Sequence, residues 1–290
     1  MSNTFLFATV ALPLPWMESG SSFHWRLWGR GMAALLTVVL FPASLAHGAD
    51  WSSTELHYQR GSLLAPSFAG GAEADTDILT FQHASGWAYG DNFFFIDFLS
   101  DNTQDGFNDT DFYGELYVHL SLGKTFGGGR LMWGPVQDIG LLAGVNAGAD
   151  ADVLKFLPGV RISWAAPGFA FLNLDMALYI DASRGAEQGG APREDDSYYV
   201  DINWAYPFQI GGHRFSLEGH IEYVGERKNE FGDRVFGWVL AQPQLRYDLG
   251  SAFGSESRFF VGVEWQYWMN KLGDDSTDEN SAQFLFVWRL

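Results

Sequence analysis

Several small groups of residues in this chain have the types and spacing that chemistry uses. Glu218, His220 and Glu222 alternate, so an extended backbone places two carboxylates and an imidazole on one face, a set suited to acid–base work. His119 and Ser121 stand in the same relation, a base beside a hydroxyl. Asp101-x-Thr103-x-Asp105-Gly106 imitates the start of a calcium loop, but its twelfth position is Phe112 and the bidentate Glu is missing. Gly127-Gly128-Gly129 lacks the buried strand and following helix of a phosphate cradle and reads as a flexible turn. Cysteine is absent, which removes disulfides and thiolate metal sites. None of these motifs is complete, so no metal and no cofactor is expected. A charged wall facing water accounts for the Glu–His–Glu set with fewer assumptions than catalysis.

The elements that carry these residues are strands. Beyond Trp51 the hydrophobic pattern has period 2, in pieces of about ten residues, the length of a tilted strand crossing a bilayer. From Tyr113 to Leu122, Leu116, Val118, Leu120 and Leu122 alternate with Glu115, Tyr117, His119 and Ser121. From Phe169 to Asp181, Leu172, Leu174, Met176, Leu178 and Ile180 alternate with Asn173, Asp175, Tyr179 and Asp181. The same rule marks 153–164, 197–208, 213–224, 233–249, 258–269 and 281–290, with less regular pieces at 53–60, 77–85, 92–100 and 138–147. A soluble β-sandwich also alternates, but two features oppose it. Aromatic residues close the apolar faces (Trp164, Tyr206, Phe208, Trp265, Tyr267, Trp288), as rings do at membrane interfaces. Charges sit in mid-strand on the other faces: Lys155, Arg161, Asp175, Asp201, Glu218, Glu222, Arg246 and Glu264. A dry core would penalise them, whereas a wet lumen would not. The expected fold is all-β, a transmembrane antiparallel β-barrel of about twelve strands.

Composition agrees with that expectation. The net charge of −18 argues against nucleic acid as a partner. An aromatic share of 17% at a mean hydropathy of −0.07 fits one apolar and one polar wall rather than membrane helices. Arg26 and Arg30 precede an apolar run from Met32 to Phe41 and the small residues Ala43–Ala49, the pattern of a secretory signal. That run is about half of what a spanning helix needs. Residues 1–48 are therefore expected to be a signal peptide and 49–290 the barrel, placed in the bacterial outer membrane among its lipids and lipopolysaccharide. The odd-numbered connections are long and acidic (Asp105, Asp109, Asp111, Asp195, Asp196, Asp274, Asp275), so one rim concentrates cations. Gln283 to Leu290 alternate to the last residue, like the terminal strand signal read by the barrel-assembly machinery.

From Trp51 onward the order of segments resembles the Tsx-like nucleoside-specific outer-membrane channels, including OmpK-like proteins. The likeness rests on Trp51-Ser52-Ser53-Thr54-Glu55-Leu56, the acid-led Asp77 to Gln82, Phe93-Phe94-Phe95-Ile96-Asp97, Glu115 to Ser121, and Trp204 to Phe208. His119 stands where that pattern has Arg, and Phe94 where it has Gly. The resemblance implies a passive pore for nucleosides, with Phe93, Phe95, Asp97 and Glu115 along its wall. Strand phase adds Tyr117, His119, Arg161, Phe236 and Trp238 to the expected lining. Two other functions compete with the channel. One is a surface barrel whose acidic loops act as an adhesin or phage receptor. The other is a lipid-modifying enzyme, which needs a base and a nucleophile together on the outer face; the phase instead points His57, His119 and His220 inward.

Overall fold

The computed structural model describes residues 49–103, 106–126 and 133–290. The expected export segment, Asp105 of the calcium-like motif and the glycine triplet lie outside these residues. Strands β1 to β9 span Trp51–Leu64, Glu73–Trp87, Gly90–Asp101, Asp111–Ser121, Val136–Gly148, Val153–Trp164, Phe171–Asp181, Ser197–Ile210 and His213–Val224. A short hairpin follows, β10 (Arg227–Lys228) with β11 (Arg234–Val235), and then β12 (Trp238–Ala241), β13 (Gln244–Asp248), β14 (Phe259–Met269) and β15 (Glu279–Arg289).

β12 and β13 are one stave of the barrel. Both pair with β9 and β14 in an unbroken register. The gap falls at Pro243, which has no N–H to give but whose carbonyl still accepts from Trp265 N at 2.9 Å. Twelve staves therefore run antiparallel around the molecule, and β15 closes on β1 from Glu55↔Arg289 to Arg60↔Phe284. Closure leaves no strand edge unpaired in lipid, the condition a spanning sheet must meet.

Alternation decides which side chains enter the lumen. On β4, Glu115, Tyr117, His119 and Ser121 are buried inside. On β7, Asp175, Ala177, Tyr179 and Asp181 are inside while Met176 and Leu178 stand exposed on the outer wall. Leu141, Ile202, Val263, Trp265, Phe284 and Trp288 continue that outer apolar surface.

The start of β1 and the end of β15 lie at one rim, where the connections 88–89, 165–170 and 211–212 are short and those at 122–135 and 249–258 longer. Gly211 and Gly212 make a two-residue turn at φ 56° and 92°, a conformation that suits glycine and matches strand twist. The β4–β5 connection opens with a short helix, Leu122–Phe126, so Leu122 ends the strand pattern rather than extending it. One expected strand needs correction. Residues 233–249 do not form a single stave: the turn at Phe231 and Gly232, held by the Asn229 side chain, folds Arg234–Val235 back on Arg227–Lys228. The stave begins only at Trp238.

A candidate solute pathway through the lumen

A cavity of about 1330 Å³ runs through the barrel, lined from Trp51 and Lys124 near the chain-end rim to Phe68 and Asp274 among the long loops. All nine residues expected on the wall line it: Phe93, Phe95 and Asp97 from β3, Glu115, Tyr117 and His119 from β4, Arg161 from β6, and Phe236 and Trp238 at the entry to β12. Phe236 reaches the lumen from the loop ahead of the stave, and the Arg234 guanidinium lies 4.1 Å from its ring centre.

Near the chain-end rim the charges cancel in contact. Arg161 holds Asp175 with two 2.7 Å bonds and Asp91 with a third of 3.0 Å. The other Asp91 oxygen meets His119 Nδ1 at 2.8 Å. Gly140 leaves room for this imidazole, since a Cβ there would come within 2.2 Å of its Nε2. Across the lumen Glu55 collects His57 (2.8 Å), Arg246 (3.1 Å) and Arg289 (2.7 Å), and Arg246 also reaches Glu218 at 3.1 Å. Fork-shaped guanidinium contacts of this kind fix geometry as well as charge.

Mid-lumen is different. Asp97 accepts from Thr80 (2.5 Å), Glu115 from Tyr113 and Asn146 (2.6 and 2.9 Å), and Glu264 from Gln244 (2.5 Å). Asp201 meets His220 at 3.0 Å. Glu222 lies within electrostatic reach of Glu115, Asp201 and His220. Five carboxylates thus share one imidazole, and their hydrogen bonds come mainly from neutral groups. Aromatic rings stand among these carboxylates, Tyr117 next to Glu115 on the inner face of β4 and Tyr199 next to Asp201 on that of β8. Tyr117 and Tyr199 stack at 6.5 Å with hydroxyls 3.4 Å apart, and Tyr179 meets Trp238 edge-on at 6.2 Å.

The acid–base motifs do not assemble. Glu218 goes to Arg246 and Ser216, His220 to Asp201 and Gln242, and Ser121 Oγ accepts from Lys124 N rather than from His119. On the outer wall Thr54 Oγ1 lies 2.8 Å from His83 Nδ1, a pair absent from the expected set. Its signal was the reversed phase of 77–85, where even residues face inward and His83 outward. Tyr199 was likewise missed, although its strand phase carried the information, whereas Glu264 was placed on the inner face but not among the candidate solute contacts. Among the described residues no group of three His, Asp or Glu could hold a metal ion.

No protein-family model and no curated protein matches the sequence. Solved structures do. The chain is similar to the NanC porin at 15% identity, over 81% of this chain and 100% of that one, with a TM-score of 0.50. The COG4313 outer membrane channel from Pseudomonas putida F1 aligns at 11% identity over 84% and 97%, with a TM-score of 0.49. The KdgM porin aligns at 10% over 81% and 98%, with a TM-score of 0.43. At such identities the likeness is one of fold. The chain is an integral outer-membrane protein, a closed twelve-stranded antiparallel β-barrel. No nucleoside-specific family is shown.

Proposed function

We propose that this protein is a passive outer-membrane channel for small solutes, with nucleosides as the solute class. The observation that carries the reading is the cavity lined from one rim to the other. Its wall supports the finer choice. Phe93, Phe95 and Tyr113 form a run of rings at 6.1 Å spacings beside Asp97 and Glu115. Every nucleobase has a π-face, and stacking of a base on an aromatic ring is worth about 1–3 kcal/mol in other proteins. Carboxylates there can accept from ribose hydroxyls and exocyclic amines. Several weak sites in series let a solute enter without being trapped. The surplus of mid-lumen carboxylates favours neutral or cationic solutes over polyanions.

Purified protein in a planar bilayer tests both levels of the proposal. A conducting pore is expected, with current blocked by adenosine or thymidine and not by glucose. No conductance overturns the channel, and equal indifference to nucleosides and sugars overturns the specificity.

A further inference from the structure

Near the outer end of the lumen two loops fold inward and meet over an aromatic platform. Glu194, in the β7–β8 connection, places Oε2 2.6 Å from Lys155 Nζ and 2.8 Å from Arg227 Nε. The Arg227 guanidinium lies 4.4 Å from the Trp238 ring centre and 5.4 Å from that of Tyr179, and Lys155 Nζ lies 5.4 Å from the same Tyr179 ring. Arg227 is 5% exposed, yet its Nη2 is buried without a hydrogen-bond partner among the described residues. Its Nη1 reaches only the Gly225 carbonyl, at 3.2 Å. A buried guanidinium with a free donor is costly unless something supplies the missing acceptor.

The charges around this point explain what that something is. Asp181 also contacts Lys155, at 3.3 Å, so Lys155, Arg227, Asp181 and Glu194 balance. Without Glu194 the group carries one uncompensated positive charge above two aromatic faces. Glu194 engages both cations through a single oxygen, Oε2, and leaves Arg227 Nη2 unmet. A free carboxylate in the same place could use both oxygens across the Arg227 fork. Its ring would lie against Trp238 and Tyr179, which the cavity reaches directly.

We propose that this outer site binds a carboxylate borne on a ring, held by Lys155 and Arg227 against Trp238 and Tyr179, and that the chain's own Glu194 fills it until such a ligand displaces it. Displacement frees more than one side chain. Glu194 is tied to Asn229 by a backbone bridge, and Asp195 N donates to Lys228 O at 2.7 Å, so the two loops leave the mouth together. The carboxylate layer below repels an anion, so the ligand stays at the mouth and acts on the loops.

Binding is measured on the purified full chain in detergent by tryptophan fluorescence, since Trp238 and Trp268 adjoin the site. The probes are cyclohexanecarboxylate and its neutral amide. The carboxylate should change the emission saturably and the amide should not. Glu194→Ala removes the tethered competitor and should lower the half-saturating concentration at least tenfold. Glu194→Gln, which keeps the shape and loses the charge, should act in the same direction. Adding Arg227→Met to either variant should abolish the response, with Lys155→Met as the substitute if that protein loses the gel-mobility change on boiling that marks a folded barrel. Binding no tighter in both Glu194 variants than in the native chain, or equal binding of the amide, overturns the proposal. Binding without any bilayer conductance leaves it standing and overturns the channel reading instead.

Discussion

The lumen holds two levels of charge that behave oppositely. Near the chain-end rim, Arg161, Arg246 and Arg289 are matched in direct contact by Asp91, Asp175, Glu55 and Glu218. In mid-lumen, of Asp97, Glu115, Asp201, Glu222 and Glu264 only Asp201 touches a basic side chain among the described residues, His220, while Arg246 and Arg161 act on Glu264 and Asp201 from beyond contact. Contact pairs cancel at short range, so the first level holds neighbouring staves together and leaves little field for a passing solute. Surplus carboxylates solvated by amides and hydroxyls keep their field, so the second level is where charge can select. On the proposed reading the same residue types therefore serve structure at one height and selection at another.

The sharpest way to break this contrast is Arg161→Met. It leaves Asp91 and Asp175 facing one another without their cation, and stability should fall by about 3–5 kcal/mol. The temperature at which the folded gel band converts should drop accordingly, and Asp175→Asn added to it should restore part of the loss. Ion selectivity in the surviving channels should hardly change. Tyr199→Ala attacks the aromatic pair set among the carboxylates. It should cost about 2–4 kcal/mol in urea unfolding and raise single-channel conductance, because the Tyr117–Tyr199 contact that narrows the lumen is gone.

Glu222→Gln tests the second level. Stability should be nearly unaltered, whereas the reversal potential in a potassium chloride gradient should move toward zero, a few-fold fall in the cation-to-anion permeability ratio. A shift as large from Arg161→Met would erase the distinction between the levels. The smallest effect concerns the long-loop rim, where Asp274 accepts from Ser67, Ser276 and Thr277 and so joins the β1–β2 and β14–β15 loops. These hydrogen bonds outweigh its slight desolvation and hold its carboxyl below the usual range. A depressed native value stabilises the fold above the unfolded value near 4 and is lost only as pH falls through the native one. Asp274→Asn should therefore cost well under about 1 kcal/mol at pH 7 for a group so little desolvated, and progressively less as pH falls below about 4, as urea midpoints would show.

Much of the architecture was legible in the residues. The alternation of Tyr113–Ser121 and of Asn173–Asp181 placed each side chain on its observed face, and the segments 153–164 and 213–224 matched β6 and β9 to the residue. This is because a barrel strand meets lipid on one side and water on the other, so period 2 is written at every step. The break in 233–249 was not legible. Both halves of it alternate, and only the turn at Phe231 and Gly232 with the packing of Phe236 decides that one half leaves the wall.

Partnership inside the lumen was the part the sequence could not carry. Glu218, His220 and Glu222 sit together on one strand face, yet their partners are Arg246, Asp201 and Gln242, brought by other staves. Glu194 meets Lys155 and Arg227 only because two outer loops fold into the mouth. By itself the chain's period determined a closed barrel with a polar, acidic interior, since local alternation is enough to sort lipid from water. Which charges cancel, which remain to act on a solute, and where a loop carboxylate plugs the mouth were decided by the register and closure of twelve staves, which set distances that no local pattern contains.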